Sequence, residues 1–160
     1  MMLFRPELLE LILSGDKTQT RRVCKPGEQI VDDATSPDVP VAILDARGRV
    51  KWRVGQTYAL QPGRGKAGIG TRIRVKRLSL DYDVRQISGA DARAEGFYTE
   101  RAFLYVWTSM HDPAVPDYTR ISLNALSQWE LSYSVDNMTY LASRPAERYR
   151  AWVIQFEVVR

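Results

Sequence analysis

The chain has 160 residues, one cysteine, one histidine and a formal net charge of +4. Apolar residues make up 44% of it, which is enough to bury a core in a single domain over residues 1–160. One cysteine excludes an internal disulfide, and we see neither a signal peptide nor an apolar run of membrane length. We therefore expect a cytoplasmic protein with no membrane partner, whose mild basic bias suits a polyanion.

The first predicted element is a helix that begins at Pro6 and ends before Gly15. Proline suits the first helical position, and glycine suits the left-handed residue that ends a helix. The leucine-rich segment between them predicts a broad apolar face packed into the core. The charged stretch SGDKTQTRRV, residues 14–23, follows at once, so its backbone starts from a fixed point.

Turn-forming residues and three prolines dominate residues 25–48. We interpret this segment as a loop with one short strand, Val41–Leu44, which forms a hairpin with Val50–Arg53. A further strand is predicted over Gln56–Gln61.

Residues 69–76 alternate between apolar or β-branched residues and basic ones. This pattern predicts a half-exposed strand whose outer face is basic. The inner set is Ile69, Thr71, Ile73 and Val75, and the outer set is Arg72, Arg74 and Lys76.

The glycine motif GRGKAG, residues 63–68, matches G-x-G-x-x-G. A dinucleotide site needs a helix directly after this motif, but the alternating strand follows instead. We therefore expect no cofactor, and we interpret the motif as a flexible loop between strands. Its two cations, Arg64 and Lys66, are of the kind that closes over a phosphate or a base.

Two helices and a strand complete the prediction. A short helix lies between Ser88 and Gly96, where Asp91 completes a capping box. A second helix covers residues 99–110, with a core face made of Phe103, Val106, Trp107 and Met110. The segment YRAWVIQFEVV, at residues 149–159, predicts a closing strand that alternates Trp152, Ile154 and Phe156 with Val153, Gln155 and Glu157.

Residues 112–148 form the least regular part of the sequence. We interpret them as an insertion with little regular structure, or with one short helix near Leu123–Leu131. Few helices and several short, mostly antiparallel strands predict an α+β fold built around a small barrel.

The stretch SGDKTQTRRV offers the clearest chemistry. A neutral lysine can take the proton of a nearby hydroxyl, provided that burial or neighbouring cations lower its pKa. Lys17 and Thr20 would meet if the stretch were helical, but not if it were extended. The plainer interpretation is that Thr18 and Thr20 bond local backbone while the cations stay solvated.

The same stretch resembles the signature of the ASCH domain family, which has a PUA-like barrel. It fits G-x-K-x-x-T-x-R through Gly15, Lys17, Thr20 and Arg22. Residues 52–78 are similar to the barrel strands of that family, and AWVIQFEVV is similar to its closing strand. The segment ISGADARAEGF is similar to the family's helix with an acidic residue, and FLYVW is similar to the helix that follows. The resemblance implies an α+β fold with a small PUA-like mixed β-barrel flanked by short helices.

The resemblance also implies a function. Family members bind RNA or modified nucleosides beside the first helix, and some small ones remove the acetyl group from N4-acetylcytidine. The motif then makes Thr20 the nucleophile, Lys17 its base and Glu95 the assisting carboxylate. The expected RNA- or nucleoside-binding residues are Arg21, Arg22, Arg64, Lys66, Arg72 and Arg74.

Alternatives stay open because the chain is longer than the small amidohydrolases, with insertions near 32–49 and 112–148. A non-catalytic RNA-binding module needs no Thr20, and its affinity falls with salt. A ribonuclease is the third candidate, although the carboxylates Asp81, Asp83, Asp91 and Glu95 show no spacing typical of a metal site. We expect no metal, and the sequence leaves the oligomeric state open.

Overall fold

The computed structural model describes residues 1–111 and 144–159. The predicted α+β class is confirmed: a curled sheet of five strands, a second sheet of three strands and a few short helices make up the fold. The strands are β1 (Met2–Leu3), β2 (Gln19–Val23), β3 (Gln29–Asp32), β4 (Pro40–Leu44), β5 (Val50–Arg53), β6 (Thr57–Gln61), β7 (Arg72–Asp81) and β8 (Ala151–Val159). The helices are α1 (Pro6–Ser14), α2 (Gly89–Ala94) and α3 (Glu100–His111), with 3₁₀ turns at Val84–Gln86 and Ala146–Tyr149.

The larger sheet is a half-barrel with the strand order β1-β6-β7-β8-β2. Its first pair, β1 with β6, is parallel, and the other pairs are antiparallel. Strands β1 and β2 are therefore the two edges. The Nη2 group of Arg22, on β2, donates to the carbonyl of Leu3, on β1, at 2.6 Å and so bridges these edges.

In strand β7 the apolar residues lie on the buried face and the basic residues on the exposed face. Ile73 and Val75 are fully buried, while Arg72 and Arg74 are exposed. An irregularity between Val75 and Arg77 resets this alternation, so that Leu78 points inward again. The strand begins at Arg72, so the prediction that it includes Ile69 is wrong, and Ile69 is exposed.

The smaller sheet has the order β3-β4-β5 and contains the predicted hairpin of β4 and β5. The prediction of one strand in residues 25–48 is incomplete, because β3 pairs with β4. Every residue of β3 is exposed, so the strand lacks the apolar alternation that would reveal it in a sequence.

The helices follow the predicted signals closely. Gly15 ends α1 in the left-handed region at φ 90°, and the Ser88 side chain accepts a hydrogen bond from the Asp91 amide at the start of α2. In α3, Phe103 and Trp107 are buried as expected, but Met110 is exposed. Leu123–Leu131 and most of the predicted insertion at 112–148 lie outside the described residues.

Candidate active site

A cavity of about 330 Å³ opens between the β1–α1 segment, β2, the turn after α2, and α3. Its walls come from residues 3–8, 17–23, 62–63, 95–97 and 103–111. This volume lies at the lower end of the range for small-molecule sites. The cavity therefore has room for one small molecule, and its walls combine aromatic side chains with a few charged ones.

Lys17 lies on the wall, although only 2% of it is exposed. Its amide donates to the Leu11 carbonyl at 2.9 Å, which ties it to the end of α1. Its Nζ donates to the Glu95 carbonyl at 2.6 Å and to Glu95 Oε2 at 2.9 Å. Burial lowers the pKa of Lys17; the Glu95 carboxylate opposes this, while Arg22 and Arg21 add to it.

Glu95 reaches Lys17 because α2 stops there. Glu95 caps the helix, and Gly96 then turns the chain at φ 88°. A Cβ on Gly96 would lie 2.9 Å from Leu11 Cδ1 and 3.4 Å from Lys17 Cβ. A glycine at this point therefore lets the turn after α2 pack directly on Leu11 of α1 and on Lys17.

Arg21 joins three carboxylates from two other elements. Its guanidinium donates to Asp81 at 2.8 Å, to Asp91 at 3.2 Å and to Glu95 at 3.2 Å. Burial opposes its charge, but the hydrogen bond to Asp81 and the charges of all three carboxylates outweigh burial and raise the pKa of Arg21. Gln19 adds hydrogen bonds to the backbone and side chain of Asp91 at 3.1 and 3.2 Å.

Thr20 lies on β2 between these two side chains and is 5% exposed. It lines the cavity together with Lys17 and Glu95. Among the residues that the structure describes, none forms a hydrogen bond with the Thr20 hydroxyl. The segment is extended rather than helical here, so Lys17 reaches the cavity from the residues before β2 and Thr20 from within the strand.

Aromatic rings form much of the remaining wall. Arg22 lies over the Phe4 ring at 5.0 Å, and Arg21 lies over Phe103 at 5.7 Å. Phe103 stacks on Trp107, with ring centroids 5.9 Å apart. The indole Nε1 of Trp107 is buried and has no hydrogen-bond partner within the described part of the chain.

The structure divides the predicted site residues into two groups. Lys17, Thr20, Arg21, Arg22 and Glu95 line the cavity, whereas Arg64, Lys66, Arg72 and Arg74 do not. The loop of Arg64 and Lys66 borders the cavity through Gly63. On the exposed face of β7, Arg72 donates to Thr57 and Arg74 pairs with Glu157 at 3.3 Å.

Sequence reasoning missed several residues of the site. Arg5, Trp107 and His111 line the cavity, and Asp81 and Asp91 hold Arg21. Asp91 in α2 and Glu95 at its end are four residues apart, which places both on one helix face. This spacing is the feature of the sequence that could have identified them as a pair. Trp107 and Phe103 show the spacing of core residues, and in a sequence this cannot be told from the wall of a cavity.

Within residues 1–111 and 144–159, no three His, Cys, Asp or Glu side chains cluster as metal ligands would. No described helix combines the length and apolar character needed to cross a bilayer.

Comparisons with known proteins add little. No family model and no curated protein matches the chain. Protein EF3133 from Enterococcus faecalis V583, described with family-model DUF984, is 17% identical over 95% of this chain and 69% of its own, with a TM-score of 0.46. Hypothetical protein PH0355 is 11% identical over 99% of this chain and 96% of its own, with a TM-score of 0.38. Both TM-scores are low, so neither neighbour assigns a function to this chain.

Proposed function

We propose that this chain is an ASCH-type domain whose cavity binds a modified pyrimidine nucleoside, free or in RNA, and hydrolyses its N4-acetyl amide. One observation carries the proposal: Lys17, Thr20 and Glu95 line the same small cavity. These are the three residues to which the resemblance gives catalytic roles. They come from separate elements, so sequence proximity does not account for all three lying together.

The residue types on the cavity wall suit a nucleophilic mechanism, in which Thr20 and Lys17 share the wall but are not hydrogen-bonded to each other in the structure. Thr20 Oγ1 attacks the acetyl carbonyl carbon, and Lys17 Nζ takes the hydroxyl proton. The tetrahedral intermediate then collapses, the amide C–N bond breaks, and the proton passes from Lys17 to the leaving amine. Water, activated by Lys17, hydrolyses the resulting Thr20 ester to acetate and regenerates the hydroxyl.

Glu95 has a positioning part in this scheme. One of its oxygens accepts from Lys17 and the other from Arg21, so the carboxylate fixes the lysine at the cavity wall. The lowered pKa of Lys17 favours the neutral amine that the first step needs. The side chains of Phe4, Phe103 and Trp107 give the cavity an apolar wall against which a pyrimidine base can pack.

The second candidate function is a non-catalytic RNA-binding module. It is favoured by one observation: the loop that carries Arg64 and Lys66 borders the cavity through Gly63. A strand with one base in the cavity would find these cations at the rim. The third alternative, a ribonuclease, has no comparable observation in its support.

Incubating the protein with N4-acetylcytidine and following cytidine release by chromatography tests the proposal. We expect turnover by the native chain and by Thr20→Ser, which keeps a hydroxyl. Thr20→Val has the same shape without the hydroxyl and should lose at least about a thousandfold in kcat, as should Lys17→Met. Lys25→Met, at an exposed lysine outside the cavity, is the matched control for Lys17→Met and should turn over normally.

Two results would contradict the proposal. Undiminished turnover by Thr20→Val would remove the nucleophile from the scheme. A folded native chain that binds cytidine or RNA but releases no acetate would identify the binding module, and its affinity should then fall steeply with salt.

A further inference from the structure

The charges on the cavity wall are unbalanced. Three arginines, Arg5, Arg21 and Arg22, and the amine of Lys17 face one carboxylate, Glu95. Glu95 forms ion pairs with Lys17 and Arg21. Arg21 also pairs with Asp81 and Asp91, which do not line the cavity. Within the described part of the chain, neither Arg5 nor Arg22 forms an ion pair.

Arg22 is positioned by two contacts that leave some of its N–H groups without an acceptor among the described residues. Its Nη2 donates to the Leu3 carbonyl, and its guanidinium lies over the Phe4 ring. Among the described residues, none accepts a hydrogen bond from its Nε or Nη1, and neither atom is sealed from solvent. A partly buried guanidinium with free donors is a strong site for an anion, because burial costs the charge hydration that an anion can replace.

The start of α1 adds to the same wall. Arg5 is the residue before the helix and its side chain does not cap it, and both Arg5 and Pro6 line the cavity. Pro6 has no amide hydrogen, the amides of Leu8 and Leu9 donate to the Arg5 carbonyl, and Glu7 lies in the first turn, so the positive charge here comes from the Arg5 side chain and not from the helix amides. Arg5 and Arg22 together therefore bring positive charge to the cavity wall.

We propose that Arg22 and Arg5 form an anion subsite that takes the phosphate of a nucleotide. The natural ligand is then a nucleotide unit rather than a neutral nucleoside, with the phosphate at this subsite and the base towards Lys17 and Thr20. The choice of a nucleotide rests on the proposed function, whereas the anion subsite depends only on the charges of the wall. A phosphate monoester and an internal phosphodiester share this chemistry.

Binding, rather than turnover, tests the inference. Calorimetry with cytidine, cytidine 5′-monophosphate and the dinucleotide cytidylyl-cytidine should show at least tenfold tighter binding of a phosphate-bearing ligand than of cytidine. Tighter binding of the monoester would indicate a free nucleotide, and tighter binding of the dinucleotide an RNA strand. Equal affinity of the native protein for cytidine and both phosphate-bearing ligands would overturn the inference.

Variants locate the effect at Arg22. In Arg22→Met the phosphate-bearing ligand should bind no better than cytidine. Arg22→Lys keeps the charge without the planar fork and should retain part of the preference. Arg47→Met changes an exposed arginine in the turn between β4 and β5, outside the cavity, and should keep all of it. A folded Arg22→Met that retains the full preference would refute the assignment.

A readout on the native protein remains if Arg22→Met fails to fold. His111 is the single histidine of the chain and lines the same cavity. Its ring packs edge-on against Trp107, with ring centroids 4.5 Å apart, so its NMR signal reports on this cavity. Inorganic phosphate should shift the NMR signal of its Cε1–H with saturation, and an unchanged signal would overturn the inference. A chain that shows this shift but hydrolyses no acetylcytidine would retain the subsite and lose only the proposed reaction.

Discussion

At the scale of single residues, Lys17 shows how position changes chemistry. A solvated lysine is a cation at neutral pH, but this one is buried against Glu95, and its pKa is lowered by burial. The carboxylate raises the same pKa, so the two effects work against each other. Its readiness to act as a base therefore depends on the balance between burial and one ion pair.

This balance predicts the pH dependence of the proposed hydrolysis. Lys17 must be neutral to accept the Thr20 proton, so kcat/KM should rise with pH and level off above the pKa of Lys17. Because that pKa is lowered, the rise should be complete below the ordinary lysine value of 10.5. Initial rates of cytidine release across a pH series would measure it.

Glu95→Gln supplies the control for that measurement. Without the carboxylate, burial is less opposed, and the rising limb should move to lower pH. The pH at which kcat/KM rises is the quantity to compare, because the maximum value of kcat/KM also changes if Glu95 orients the lysine. A limb that stays in place in Glu95→Gln would mean that another group titrates.

At the scale of elements, Arg21 holds together three parts of the chain. It lies on β2 and binds Asp81 at the end of β7 and Asp91 and Glu95 on or beside α2. Helix α2 is only six residues long and would not persist without such contacts. The position of Glu95, and with it that of Lys17, therefore depends on this arginine.

We expect Arg21→Met to be among the most destabilising charge removals in the chain. It leaves three carboxylates close together, two of them largely buried, and should lower the free energy of unfolding by about 3 kcal/mol. Urea unfolding followed by tryptophan fluorescence would measure the loss.

Arg74→Met removes an arginine from an exposed pair with Glu157 and should change the same free energy by less than about 0.5 kcal/mol. Similar losses in the two variants would show that the Arg21 cluster does not hold α2.

At the scale of the whole molecule, the two sheets share one core. Ile43 on β4 and Trp52 on β5 are buried in the same cluster as Ile73 and Ile154 of the half-barrel. The sequence prediction treats residues 32–49 as an insertion. Their central strand, β4, contributes a fully buried side chain to the main core, so that strand cannot be removed without opening a cavity.

Two isoleucines of the smaller sheet test this view by the same substitution. Ile43 is 0% exposed and Ile30, on β3, is 36% exposed. Ile43→Ala should lower the free energy of unfolding by about 3 kcal/mol, because it leaves a hole in the core. Ile30→Ala should cost less than about 1 kcal/mol. Equal effects in urea unfolding would show that the smaller sheet folds apart from the main core.

Several elements can be read from local signals in the sequence. Pro6 and Gly15 bound α1, Ser88 caps α2, and the alternation of Ile73 and Val75 with arginines defines β7. Each signal acts within a few residues, through dihedral preference, capping or periodic burial, and so can be read along the chain. Strands β1, β2 and β3 lack such a signal and were missed.

Which polar residues form ion pairs and hydrogen bonds with each other depends on tertiary packing. Lys17 and Glu95 are 78 residues apart, and Arg21 and Asp81 are 60 apart, yet each pair is in contact. Such pairs form because β2 lies beside β8 at the sheet edge while the turn after α2 packs over it, and no local preference encodes that meeting. The same packing separates Arg22, which faces the cavity without an ion pair among the described residues, from Arg21 beside it, which is neutralised. Neighbours in sequence therefore have different electrostatic roles although both line the cavity, because Asp81, Asp91 and Glu95 pair with Arg21 and not with Arg22.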